Sequence, residues 1–327
     1  EYDRSIEYNK KSLKIRIERL GDDHLDVATS YSNLGIVYGN KEEYDKAIKY
    51  HEKSLEISLN KLGSDHPHVG TLYNNLGFVY GKKGEYDKAI KYNEKSLKIW
   101  LGSDHPHVVY AYSNLGDVYD EKEEYDKAIE YHEKSLEIWL NKLGSDHPDI
   151  AYSYSNLGDV YDSKGEYDKA IEYYEKSLEI WLNKLGSDHL DVSTLYNNLA
   201  IVYEKKGEYD KVIEYYKKSL KIMLNKLGPD HPDVPTLCNK LGGFYAKKGE
   251  YDKAIEYHEK LLEIRLNKLE SDHPDVACSY NNLGSVYDKK GEYDKVIEYY
   301  KKSLKIRLDK LGPDHSDVGN SYNNLGI

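Results

Sequence analysis

Tyr-Asp-Lys-Ala-Ile-Glu-Tyr-Tyr-Glu-Lys-Ser-Leu-Glu-Ile-Trp-Leu-Asn-Lys-Leu, residues 167–185, places Tyr167, Ala170, Ile171, Tyr174, Leu178, Leu182 and Leu185 in one register. Their offsets of 0, 3, 4, 7, 11, 15 and 18 draw a single stripe on a helix of 3.6 residues per turn. Just upstream, Ile150, Tyr154, Leu157, Gly158 and Tyr161 draw a second stripe, with offsets of 0, 4, 7, 8 and 11. Two amphipathic helices in tandem therefore form the local unit.

The unit repeats. Tyr-Asp-Lys-Ala/Val-Ile recurs at Tyr44, Tyr86, Tyr125, Tyr167, Tyr209, Tyr251 and Tyr293, with Tyr-Asp-Arg-Ser-Ile at Tyr2. Successive starts are 42 residues apart, except for 39 between Tyr86 and Tyr125. Trp-Leu-Asn-Lys-Leu-Gly closes a unit at Trp139 to Gly144, whereas Trp100-Leu101 runs straight into Gly102. One helix is expected to be shorter by nearly a turn.

The stops are as clear as the stripes. Lys82-Lys83-Gly84 puts cations and a C-cap glycine at the end of a first helix, and Glu85 and Asp87 then favour the start of the next. The long second helix is expected to end at Gly63, Gly144 or Gly186, before a Ser-Asp-His loop whose Asp or His can cap the following helix. Proline in that helix's first turn loses no hydrogen bond. Gly77, Gly116 and Gly158 in the first helix, and Ala89, Ala128 and Ala170 in the second, mark places of close approach. A lone pair cannot cover its own apolar face, so neighbours must stack. The reading is an all-α solenoid of antiparallel helix pairs over residues 1–327, seven to eight units with incomplete ends; such an array outgrows the usual limit of one core.

Charge narrows the partners. With 47 basic and 58 acidic residues the net charge is -11, which repels nucleic-acid backbones and anionic membranes alike. The longest apolar run, Val108 to Tyr112, is far short of a membrane span. Cys238 and Cys278 show no disulfide framework, which points to reduced thiols and a cytoplasmic setting. The chain starts without Met and in mid-pattern, as a piece of a longer protein would.

Tyr73-x-x-Leu76-Gly77-x-x-Tyr80, followed by Ala89 and Ser96, resembles the tetratricopeptide repeat, whose usual period is 34 residues. The longer second helix, the Leu-Gly-Ser/Pro-Asp-His-Pro-Asp-Val loop and Asn-Asn-Leu-Gly in the first helix are similar to the 42-residue repeats of kinesin light chains. No heptad segment for joining a heavy chain is present, so the resemblance is to the repeat class. It implies a right-handed superhelix whose first helices line a concave groove, and a non-enzymatic scaffold that holds a peptide or protein there.

By that resemblance, the residue before the motif Leu points into the groove: Asn33, Asn75, Asn114, Asn156, Asn198, Asn282 and Asn324, with Lys240 breaking the series. An Asn offers a donor and an acceptor to an extended peptide backbone, for about 0.5–1.5 kcal/mol net. The alternative is that these amides bond between neighbouring helices and fix the stacking. Specificity would come from positions that vary. Asp117, Asp120, Asp159 and Asp162 form a central acidic stretch, flanked by Ile36, Phe78 and Ile201, which suits a partner with a basic middle and apolar sides. Tyr110 and Tyr152 replace Thr71 and Thr194 at a groove position and are candidate anchors. The groove has Lys240 alone where a carboxylate clamp would need paired cations.

Other chemistry is set aside. Ser-Asp-His at Ser64, Ser103, Ser145 and Ser187 holds the residue types of a triad, but sequence neighbours cannot form the relay, and capping explains the repetition. The Asp-His pairs from Asp23-His24 to Asp314-His315 lie in loops a helix diameter apart, too far to share one zinc. Gly77-x-x-x-Gly81-Lys82 lacks the spacing and hydroxyl of a phosphate loop. Most of the 35 Tyr recur in phase, as core filling would. No cofactor or metal is expected. A rival to the scaffold is head-to-tail self-assembly, since a second-type helix opens the chain (Glu1 to Leu20) and a first-type helix closes it (Asn320 to Ile327).

Overall fold

The repeat phase of the sequence is the helix phase of the computed structural model, which describes residues 2–101 and 107–326. Sixteen helices and no strand lie among these residues. The first helices of the pairs are α2 (Leu25–Asn40), α4 (Pro67–Lys82), α6 (His107–Glu121), α8 (Pro148–Lys164), α10 (Leu190–Lys206), α12 (Asp233–Lys247), α14 (Pro274–Lys290) and α16 (Ser316–Leu325). The second helices are α1 (Tyr2–Leu20), α3 (Tyr44–Leu62), α5 (Tyr86–Trp100), α7 (Tyr125–Leu143), α9 (Tyr167–Leu185), α11 (Tyr209–Leu227), α13 (Tyr251–Lys268) and α15 (Tyr293–Leu311). Consecutive helices pack on one another, giving an all-α solenoid of helix pairs. The contacts cluster into two compact units, one ending at Ser177 and one starting at Leu178. As the 39-residue spacing predicts, α5 has 15 residues where α3 and α7 have 19. The loop copy of Ser-Asp-His at Ser103 lies outside the described residues.

Between the two loop candidates for a cap, the structure selects histidine. His24, His66, His147, His189, His273 and His315 sit at N-cap positions, where the side chain accepts from the backbone N–H two residues on at 3.1–3.2 Å. An accepting Nδ1 must carry no proton. The histidine of each Ser-Asp-His string among the described residues is thereby used as a cap.

Inside a pair, a flat side chain on the second helix lies against bare backbone on the first. A Cβ on Gly35, Gly116 or Gly242 would come within 2.5–2.7 Å of His51, His132 or His258, and on Gly158 or Gly284 within 2.6–2.7 Å of the Tyr174 or Tyr300 ring. Such distances are closer than a real side chain allows, so glycine lets these pairs close, whereas the α10–α11 pair carries the buried Ala200 at the same place. Beside it, a first-helix tyrosine stacks on a second-helix tyrosine: Tyr38 on Tyr50, Tyr80 on Tyr92, Tyr119 on Tyr131 and Tyr161 on Tyr173, all at 5.4 Å. These stacks account for much of the tyrosine content. Second-helix serines complete the contact, with Ser54, Ser96 and Ser177 donating at 2.8 Å to the carbonyls of Ala28, Gly70 and Ala151.

Between pairs, charges set the register. Lys41, Lys83 and Lys164, at the ends of first helices, pair with Asp3, Asp45 and Asp126 of the preceding second helix at 2.7–2.9 Å. In the second unit Lys248 reaches Asp210 and Lys290 reaches Asp252. Exposed pairs of this kind contribute little singly, but their recurrence penalises a slip of one helix past the next. The Tyr-Asp-Lys motif is in this way both core and staple.

Two turns depart from the pattern. Gly84, Gly165, Gly207, Gly249 and Gly291 hold φ between 76° and 83°, and Glu42 and Glu123 occupy the same turn position at 62° and 59°. A side chain there costs about 1–2 kcal/mol. Glu42→Gly and Glu123→Gly should each raise stability by about 0.5–1 kcal/mol, after the entropy of glycine in the unfolded chain, as measured by urea unfolding.

The buried histidines give a pH signature. Burial holds His51, His132 and His258 down at about 4. Because the folded value lies below the unfolded one of 6.5, their stability is intact above pH 6.5 and is lost as pH falls towards 4. His258→Tyr, which installs the residue found at Tyr174 and Tyr300, should flatten that loss. Thermal midpoints at pH 7.5, about 5.5 and about 4.5 check this, and equal acid sensitivity in variant and parent would contradict it.

Candidate interaction face of the first helices

The residue before the motif leucine is where stacking and display meet. Leu34, Leu76, Leu115 and Leu157 are completely buried, which turns the preceding Asn towards the edge of the core. In the first unit Asn33 is exposed and Asn75, Asn114 and Asn156 are half-buried on α2, α4, α6 and α8. Asn198, Asn282 and Asn324 hold the same place on α10, α14 and α16 of the second unit.

These amides split into two groups. Asn114 donates to Asn74 Oδ1 at 3.0 Å, Asn282 to Asn239 at 2.8 Å and Asn324 to Asn281 at 2.9 Å. Each acceptor is an Asn of the previous pair, one position earlier in the register. Where that earlier residue is serine, as at Ser113 and Ser155, its hydroxyl instead meets Ser135 and Ser177 at 2.9 Å. Among the described residues Asn33, Asn75, Asn156 and Asn198 make no side-chain hydrogen bond. Lys240 donates to Tyr216 Oη at 2.7 Å and lies 4.8 Å over that ring, so its charge is engaged by the second helix of the preceding pair.

The four aspartates fall on α6 and α8, both in the first unit. Asp117 is half exposed, and its Oδ1 lies 3.5 Å from Nε2 of the buried His132. Burial raises Asp117 to about 6; Lys82 opposes this, while Asp120, Asp159 and Glu121 add to it. Asp120 is raised to about 6 by burial, then by Glu121 and Asp159, against a hydrogen bond from Ser163. Asp159 is raised by burial, moderated by the Tyr174 hydroxyl, which donates to it at 2.5 Å. The side chain of Asp162 is half-buried one turn further on α8.

A cavity of about 250 Å³ opens between α4 and α6 beside this cluster, lined by Phe78, Lys82, Tyr86, Asn114, Asp117 and Glu121. Phe78 and Ile36 are 43% and 45% exposed, large apolar side chains left open to solvent in register with Asp117. Tyr110 and Tyr152 are exposed as well, at 47% and 52%. The Tyr110 ring meets Trp139 edge-on at 6.0 Å, which holds it in place without covering it. Sequence reasoning missed Lys82 and Glu121; their helical offset from Phe78 and Asp117 was the signal available.

No His, Cys, Asp or Glu cluster able to hold a metal lies among the described residues, and no helix is long and apolar enough to cross a membrane. Asp117→Asn with Asp120→Asn should raise the thermal midpoint at pH 8. Both carboxyls have folded values above the unfolded 3.8, so their cost is full at high pH and fades as pH falls through about 6 towards 4. A gain that persists unchanged at about pH 4 would contradict the assignment.

A tetratricopeptide repeat model matches seven overlapping segments: residues 1–60, 26–101, 68–139, 111–183, 163–225, 191–237 and 233–309. No curated protein matches the chain significantly. Among solved structures, BtubC (BKLC) from P. vanneervenii is 25% identical, with a TM-score of 0.55 over 70% of this chain and 91% of that one. A putative kinesin light chain with nearly identical TPR-like repeats from Podosopora anserina is 24% identical, at 0.54 over 63% and 97%. A signal-transduction ATPase with a tetratricopeptide repeat sensor, from Pyrococcus horikoshii, is 20% identical, at 0.68 over 90% of this chain and 44% of that one.

Proposed function

Because the chain belongs to the tetratricopeptide repeat family, we propose that it is a non-enzymatic scaffold holding an extended segment of a partner protein on its first helices. The segment carries a Lys or Arg in its middle, set towards Asp117 and Asp159, with apolar residues on either side. The observation that carries this reading is the exposure of Asp117 on α6 and Asp159 on α8 at the register position where α2 and α4 expose the apolar Ile36 and Phe78.

The unpaired amides add the backbone half of the recognition. Helices stack at about 8–10 Å and an extended chain advances about 3.3–3.6 Å per residue, so one Asn meets roughly every third residue of a guest. Asn75 and Asn156 are the members of the first unit best suited to this, being half-buried and without an internal partner.

Selection from a random peptide library tests the reading. Recovered sequences should carry a basic residue flanked by apolar ones, and Asp117→Asn with Asp159→Asn should weaken their binding roughly tenfold, about 1.4 kcal/mol. Asn156→Ala should weaken binding without the loss of stability expected for Asn114→Ala. Peptides that bind all three variants as tightly as the parent would remove this face from the account.

A further inference from the structure

A different surface carries charge of the opposite sign. Between the second helices α11 and α13, both in the second unit, lies a crevice of about 570 Å³. Its floor is apolar, formed by Leu220, Leu224 and Tyr257. Lys217 and Lys221, one helical turn apart on α11, stand on one wall, and Lys260 of α13 on the other. Lys217 and Lys221 are exposed and Lys260 is half-buried, and among the described residues none of the three makes a hydrogen bond or ion pair. Of the other charged residues there, Glu214 is engaged by Lys218 at 2.7 Å, which leaves Glu256 as the one carboxylate against three free ammonium groups.

Packing does not ask for Lys217 and Lys221, whereas Lys260 holds a position that is lysine in the other second helices too, as at Lys134, Lys176 and Lys302. The residues equivalent to Lys217 and Lys221 are Glu133 and Glu137 on α7, Glu175 and Glu179 on α9, and Glu259 and Glu263 on α13, while α1 and α15 carry Lys10, Lys14, Lys301 and Lys305, and all these helices fold alike. Nor do the lysines of α11 neutralise their neighbours, since Glu259 and Glu263 make no ion pair with them. A positive crevice with an apolar floor, in a chain of net charge -11, is a local reversal that neither the fold nor the ion-pair ladder uses.

We propose that the α11–α13 crevice docks an acidic segment of a partner protein, with an aliphatic side chain on the Leu220–Leu224 floor and carboxylates reaching Lys217, Lys221 and Lys260. The lysines suit separate carboxylates because each ammonium is a compact point charge on a flexible stem, without the planar fork that selects bidentate groups. The site is separate from the first-helix face and independent of what binds there.

The test is fluorescence anisotropy with the labelled peptide Glu-Leu-Glu-Glu-Leu-Glu on the full chain. Lys217→Glu with Lys221→Glu should weaken binding roughly tenfold or more at an unchanged thermal midpoint, because both positions are exposed. Lys301→Glu with Lys305→Glu makes the same charge change on α15 and should alter binding less than about twofold. The proposal is overturned if both double variants lose affinity equally, which means bulk charge. It is equally overturned if Glu-Ser-Glu-Glu-Ser-Glu binds as well, if a single-stranded oligonucleotide competes at equal affinity, or if the parent fails to bind the probe.

Discussion

A ring pressed against a glycine backbone is the contact on which the rest of this structure depends. Tyr174 on Gly158 and His132 on Gly116 bring the two helices of a pair closer than any side chain on the first helix would permit. That approach lets Tyr161 stack on Tyr173 and lets Ser177 reach the carbonyl of Ala151. The contact recurs as His51 on Gly35, His258 on Gly242 and Tyr300 on Gly284, while Asn93 takes the ring's place on Gly77 and Ala200 stands at the glycine's place in the α10–α11 pair. Regular stacking follows from it, since a pair of variable width could not present the next pair with a constant surface. Histidine in this role brings an acid sensitivity that tyrosine does not, because a ring nitrogen enclosed by protein resists protonation.

Most of the invariant side chains are absorbed by this construction. The aspartate and lysine of Tyr-Asp-Lys tie one pair to its neighbour, and the loop histidines cap helices. Under the proposed scaffold role, recognition falls to the positions that differ between repeats. Two such sets stand out, of opposite sign and in different units: the aspartates of α6 and α8 near Phe78, and the lysines lining the α11–α13 crevice. Asn before the motif leucine belongs to both worlds. Asn114 serves the stack because Asn74 is within reach of it, while Asn156 faces a serine in the previous pair and keeps its amide unused.

The helices, their phase, the short α5 and the glycine contacts were all legible in the chain, because a 3.6-residue stripe and a 42-residue period are one-dimensional properties that folding only wraps. The sharing of roles among identical residues was not. Which of two loop residues caps a helix depends on side-chain reach at a given φ and ψ. Which Asn is free depends on the residue one helix away, and whether a lysine is paired depends on a carboxylate about forty positions distant, as Lys83 and Asp45 show. The raised aspartates were likewise invisible as such, since desolvation is a property of the surrounding volume. The spacing of apolar and small residues along the chain sets the repeating pair and its packing faces. Which polar groups are spent on stacking and which stay unpaired is a matter of the folded arrangement, because hydrogen bonds and burial are settled between helices and not along one.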